Sequence, residues 1–339
     1  MKKKSLLLLL SLTAFGIAAK AQDTVKTTSD APLVLYGSVD TYYKYDFSGH
    51  NNIGYTPGGA GYTSFGNDQN SVSIGMVDVG FKKKVGAASF VGELSFGQRS
   101  DESLPTPSNH IQNLYVSYDV TSKFNLTAGY MATFVGYEVI SPTANFNYST
   151  SYLFSYGPFQ NAGFKATYAF SDKVSLMAGI FQDQWNVYTS AGRVNTFGAQ
   201  LFVAPAKGWT AYLNLLTGAT AGTVVDLTTA YQITDAFKLG LNAADKSGVG
   251  AANYQGVALY PQIAVSKAVS LGLRGEYFKF KADDSDVKAV TFSANIKSGP
   301  FTFIPEFRFD NGKKDMFTDS DGVASKSASQ ILFAAVYAF

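Results

Sequence analysis

Residues 330–339 read QILFAAVYAF. In an extended strand successive side chains point to opposite faces. Ile331, Phe333, Ala335, Tyr337 and Phe339 then share one face, and Leu332, Ala334, Val336 and Ala338 share the other. Both faces are apolar, and one carries aromatic rings to the last residue. A chain end in water is usually polar and frays. This one calls for a strand partner and a hydrocarbon surrounding.

The same period of two recurs upstream. In 33–47, LVLYGSVDTYYKYDF, odd positions carry Leu33, Leu35, Val39, Tyr43, Tyr45 and Phe47, while even positions carry Ser38, Asp40, Lys44 and Asp46. Residues 124–134, FNLTAGYMATF, and 301–310, FTFIPEFRFD, alternate likewise. About sixteen such segments follow one another: 33–47, 70–83, 88–98, 110–120, 124–134, 161–170, 174–185, 194–204, 209–217, 222–232, 237–245, 253–266, 269–281, 287–297, 300–310 and 328–339. A count of about fourteen is the alternative. Segment 70–83 switches face near Met76, which predicts a bulge. Short turns such as 84–87, 121–123, 205–208 and 298–299 alternate with long polar stretches at 48–69, 135–160 and 311–327. On an antiparallel sheet that places every long loop at one end, as in outer-membrane barrels with short periplasmic turns.

Composition agrees. Charged residues make up 15% of the chain, against about 25% in soluble domains. Aromatic residues also make up 15%. There is no cysteine, which excludes disulfide frameworks, cysteine-based metal sites and thiol catalysis. The first residues, MKKKSLLLLLSLTAFGIAAKAQ, have a basic start, an apolar core and Ala19-Lys20-Ala21. They read as a signal peptide, 1–21, followed by a periplasmic lead, 22–32, and a barrel domain, 33–339. The signal holds Lys2, Lys3, Lys4 and Lys20 and no acid. Removing it takes 27 basic residues to 23 against 25 acidic ones, so the mature balance is −2 rather than +2. Nucleic acid is thereby excluded as a partner, since its binding rests on basic charge.

A soluble β-sandwich would also alternate, but its outer face would be charged and its edges long and aromatic, a pattern that aggregates. In lipid every backbone polar group must be paired within the protein, so spanning strands must close into a barrel. The expected fold is therefore all-β: an antiparallel up-and-down transmembrane barrel of sixteen strands. Phe339 resembles the C-terminal signal read by outer-membrane assembly machinery, which makes that machinery an expected partner beside the lipid bilayer.

Residues 147–176, NYSTSYLFSYGPFQNAGFKATYAFSDKVSL, and the opening strand YGSVDTYYKYDF resemble the OmpL-like family of outer-membrane β-barrel porins. The likeness runs over most of the mature chain. It implies a Gram-negative outer-membrane location, a porin activity and no cofactor. It leaves a homo-oligomer open.

A barrel of this size leaves a wet lumen unless something fills it. The loop 135–160 is long and aromatic and is expected to fold inward and narrow the channel, with Tyr137, Glu138 and Tyr148 near the constriction. An external cap packed on its own aromatics is the alternative. Inward charges are few: Asp40, Lys44 and Asp46 on one strand, Arg274 and Glu276 on another, Glu306, Arg308 and Asp310 on a third, with Glu93, Asp226 and Lys238 scattered. They would either set a transverse field for passing solutes or neutralise one another along the wall. Small hydrophilic solutes diffusing passively are the expected cargo. A non-conducting structural or adhesion barrel is the rival reading, and a hydrolase is a weaker one. The two histidines, His50 and His110, flank expected outer loops, and neither G-x-S-x-G nor H-E-x-x-H occurs. The acidic runs at 283–286 and 319–321 lack calcium-loop spacing and read as solvated charge. GGAG at 58–61 reads as a loop, without the strand and helix of a phosphate cradle.

Overall fold

The computed structural model describes residues 32–54, 63–189, 192–220, 222–248 and 253–339. The signal peptide, nearly all of the lead and the GGAG stretch lie outside the described residues. The strands are β1 (Val34–Asp46), β2 (Ser71–Val85), β3 (Ala88–Phe96), β4 (Ile111–Thr121), β5 (Phe124–Ala132) and β6 (Gln160–Ser171). There follow β7 (Val174–Gln182), β8 (Val194–Ala206), β9 (Trp209–Gly218), β10 (Gly222–Gln232), β11 (Phe237–Ser247) and β12 (Tyr254–Ala264). The last are β13 (Val269–Phe280), β14 (Ser285–Ser298), β15 (Phe301–Gly312), the two-residue β16 (Phe317–Thr318) and β17 (Ala324–Ser325), and β18 (Ser327–Ala338).

Among the described residues all but β16 and β17 form one closed antiparallel barrel of sixteen strands, each paired to its sequence neighbours. β16 and β17 form a separate two-stranded sheet within the connection from β15 to β18. Closure is made by β1 against β18, from Ser38 opposite Ala338 to Asp46 opposite Gln330. Phe339 continues the ladder: its N–H donates to Gly37 O at 3.0 Å, and Gly37 N–H donates back at 3.1 Å. The Phe339 ring lies over Gly37, where a Cβ would come within 2.8 Å of it. The terminal residue is thus tied at both backbone groups.

The alternation read from the sequence sorts the wall as expected. On β18 and the residue after it, Phe333, Tyr337 and Phe339 are 40–64% exposed outside, while Leu332, Ala334 and Val336 are at most 3% exposed inside. The exposed exterior carries large apolar side chains such as Leu35, Val116, Phe170, Leu213, Phe292 and Phe307, the surface that lipid demands. Among the described residues no helix is long and apolar enough to cross a membrane. The bulge expected at Met76 is present. The β1–β2 register shifts between Val39 and Thr41, so Gly75 and Met76 both lie opposite Asp40, whose Oδ2 accepts from Met76 N–H at 3.0 Å.

Short turns close one end, where Gly86 and Gly299 adopt φ of 57° and 58°, a region glycine enters without strain. The long connections stand at the other end and contain structure the alternation did not announce. The segment 88–98 expected as a strand stops at Phe96, because Gly97 (φ 103°) turns the chain into the helix α1 (Gln98–Ser103). The segment 174–185 likewise stops at Gln182.

Candidate functional site

The connection 133–159 between β5 and β6 enters the barrel. It holds a 3-10 turn (Pro142–Ala144) and the helix α2 (Tyr152–Tyr156). Local chemistry shapes it. Asn145 closes a turn by accepting from Val139 N–H at 3.0 Å and donating to Val139 O at 2.7 Å. Ser151 caps α2 by accepting from Phe154 N–H at 3.1 Å.

The barrel wall then grips this loop along its length. Gly136 N–H donates to Asp226 Oδ1 on β10 at 3.0 Å, and Asn214 and Asn242 donate to the same carboxylate. Asn295 donates to Phe146 O at 2.8 Å, and Asn147 donates to Ser293 Oγ at 2.7 Å. Glu306 accepts from the N–H groups of Tyr148 (3.0 Å) and Ser149 (3.2 Å). Glu276 accepts from Tyr152 N–H at 2.8 Å. The Tyr148 hydroxyl donates to Asp40 on β1, and the Tyr152 hydroxyl donates to Asp310 on β15 at 2.7 Å.

Two arginines lock the centre. Arg274 forks between Glu276 (2.6 Å) and the loop's own Glu138 (2.9 Å) and also donates to Ser149 O and Thr150 O. Arg308 pairs with Asp310 at 2.8 Å and donates to Thr150 O at 2.8 Å. A third arginine, Arg99 of α1, lies between the rings of Phe65 and Tyr148, 4.7 and 4.3 Å from their centroids, and donates to Tyr148 O at 2.6 Å. The carboxylates Glu138, Glu276, Glu306 and Asp310 outnumber the guanidiniums of Arg274 and Arg308 by two. Backbone N–H donors of Tyr148, Ser149, Ser151 and Tyr152 face the excess. Buried charge persists only when paired and hydrogen-bonded in this way.

Packing completes the docking. Tyr42, Tyr148, Ile304, Leu332, Ala334 and Val336 form one buried cluster. This explains why β18 is apolar on both faces: its inner face is a floor for the loop. Wall glycines receive loop rings. A Cβ at Gly272 would lie 2.2 Å from the Phe146 ring, and one at Gly240 would lie 2.2 Å from the Tyr137 hydroxyl. Tyr137 also stacks on Tyr260 at 4.4 Å.

Of the ten residues singled out from the sequence, Tyr137 and Glu138 border open space. They line a cavity of about 680 Å³ that reaches the short-turn end at Gly299 and Pro300. They also line a second cavity of about 310 Å³ between the loop and β8–β10. Asp40, Tyr148, Arg274, Glu276, Glu306 and Arg308 are buried in the clamp. Lys44 and Asp46 sit apart from it and hold the first long loop: Lys44 Nζ donates to Ile53 O at 2.7 Å, and Asp46 Oδ2 accepts from Asn52 N–H at 3.1 Å. Sequence reading passed over Arg99 and Tyr152. A signal existed: the chain has four arginines against 23 lysines, and three of the four are buried at this loop. Arginine is the side chain suited to forked carboxylate pairing.

The remaining candidates have ordinary surroundings. His110 stacks on Phe96 at 4.5 Å, its Nδ1 3.1 Å from Ser95 O, and His50 lies in the first long loop. Asp284 pairs with Lys279 and Lys313, which hold its carboxyl down at about 2. Asp319 caps its own turn, accepting from Asp321 and Val323 N–H groups.

The family model described as "Putative beta-barrel porin-2, OmpL-like" matches residues 32–339. No curated protein matches the sequence. Solved structures share the fold at low identity. The outer membrane channel DcaP of Acinetobacter baumannii is 15% identical with a TM-score of 0.60, covering 91% of this chain and 97% of that one. An anion-selective porin from Comamonas acidovorans is 14% identical with a TM-score of 0.60, covering 91% and 99%. OmpT of Vibrio cholerae, in a trimer form, is 13% identical with a TM-score of 0.55, covering 91% and 99%.

Proposed function

The chain belongs to the OmpL-like β-barrel porin family and is an outer-membrane channel for passive diffusion, and on that premise we propose that solutes pass beside the inserted loop, not through it. The observation that carries the reading is the pair of cavities that share Tyr137, Glu138 and Ala230. They lie beside residues 133–147 of the loop, against β8–β15 and β18, while residues 148–152 are clamped to β1, β13 and β15. Small hydrophilic solutes suit the second cavity, which is lined by Thr133, Thr210, Thr228 and Gln200. In this reading the buried charges are satisfied by one another and by the loop's backbone N–H groups, and fix the aperture instead of facing the solute. Transport needs no cofactor and no covalent step. His50 and His110 are rim and loop residues and not the base of a hydrolase. Phe339 serves recognition by the assembly machinery, and barrels of this chain pack as a homo-oligomer, as the trimer form of the V. cholerae protein does.

Deleting residues 140–156 tests the narrowing. Single-channel conductance in planar bilayers should rise, because the Phe146 ring and the clamped residues 148–152 leave with the segment. Unchanged conductance from a folded, heat-modifiable barrel would refute it.

A further inference from the structure

The larger cavity is not electrically neutral, and its imbalance bears on what crosses. Lys238 on β11 and Lys297 on β14 both line it. Each lies at a position that alternation places inside: Lys238 shares the inner face with Gly240 and Asn242, and Lys297 shares it with Ser293 and Asn295. The one acid on the cavity wall is Glu138. Its carboxylate is already occupied, by Arg274 Nη1 at 2.9 Å and Ser151 N–H at 2.7 Å. The second cavity adds hydroxyl and amide groups, the Tyr212 phenol among them, and no acid or base beyond the same Glu138. Asp78 and Glu93, on the far wall, are buried.

The surroundings of the two lysines also favour negative charge. Lys238 stands opposite Gln262, and Lys297 opposite Thr302. Ser270 pairs with Asn295 between them. These are neutral groups able to donate hydrogen bonds. Two free ammonium groups in a confined space with low-dielectric walls raise the local anion concentration and repel cations. Their field is felt over roughly a Debye length, about 8–10 Å at physiological salt, comparable with the width of such a cavity.

We infer that this vestibule is a selectivity site for small anions, with Lys238 and Lys297 as the determinants. The inference rests on the pore reading and deepens it by naming a substrate class. The short-turn end is where the site lies, so selection acts at the periplasmic mouth, below the constricting loop.

Reversal potentials across planar bilayers under a KCl gradient test it with the full mature chain. The wild type should favour chloride over potassium. K238Q/K297Q should bring the permeability ratio toward one, and K238E/K297E should invert it. Citrate, added to both sides, should reduce chloride current in the wild type and lose that effect in K238Q/K297Q. Single K238Q and K297Q channels, each expected to give an intermediate ratio, serve if a double variant fails to assemble. A conducting wild type that prefers potassium, or a chloride preference unmoved by these substitutions, overturns the site and leaves the pore standing. A folded wild-type barrel with no conductance overturns the pore and the site together.

Discussion

Replacing Arg274 with alanine should release the inserted loop without opening the barrel. The arginine is fully buried and donates to Glu276, Glu138, Ser149, Thr150 and Thr291. R274A leaves Glu138 without its cation and Glu276 with only Arg308, 3.9 Å away. Breaking one side of a buried pair costs about 3–5 kcal/mol, because the abandoned charge stays desolvated. At about 1.4 kcal/mol per tenfold, the loop's docking equilibrium should shift by roughly 140- to 3,700-fold. The barrel does not share the loss, since its backbone ladders are complete without this side chain and are held by the bilayer. Hydrogen exchange reads the difference directly. Protection at the amides of Tyr148, Ser149, Ser151 and Tyr152, all of which donate to wall or loop carboxylates, should fall by that factor. Strand amides on β13 and β14 should keep theirs, and single-channel records should become noisier and larger. R274K should fall between, since an ammonium keeps the charge but cannot fork between two carboxylates. Loop amides as protected in R274A as in the parent would refute the clamp as the element that holds the loop.

Glu102, in the outer connection after β3, should make the outer loops pH-sensitive. Burial pushes its carboxyl up to about 7, and it accepts from Phe65 N–H at 2.9 Å. A folded value above the unfolded one means that burying this carboxyl supports the folded loops fully below about 4.5, and that the support is lost as pH rises through about 7. Exchange at residues 63–66 should therefore quicken over that window, beyond its intrinsic base catalysis, and E102Q should abolish the excess. Removing Phe339 deletes two backbone hydrogen bonds at the closure and the ring over Gly37. The yield of heat-modifiable barrel on gels should drop, and an undiminished yield would show that Ser38–Ala338 pairing is sufficient.

The strands were legible because a period of two is enforced twice, once by lipid outside and again by the filled or wet lumen inside. Even the bulge at Met76 showed as a change of phase. Inward entry of the loop 135–160 was legible from its aromatic content. The clamp was not, since its contacts join residues far apart in the chain: Tyr148 reaches Asp40 across 108 positions, and Tyr152 reaches Asp310 across 158. Period-two reading places Lys44 and Asp46 inside, which they are, but cannot reveal that the first long loop folds back to take them. The helix α1 is six polar residues, QRSDES, too short for a period to register. Its Arg99 acquires a role only through Phe65 and Tyr148, which lie on two other loops.

Tyr148 touches both sides of the place where the ring of strands meets itself. Its hydroxyl is bound to β1 and its amide to β15, with β18 lying between them. The insert therefore acts as an internal suture across the joint of first and last strands. Until that joint exists the two anchor points are not side by side, so seating of the plug reports that the cylinder is complete, and a half-built barrel stays unsealed.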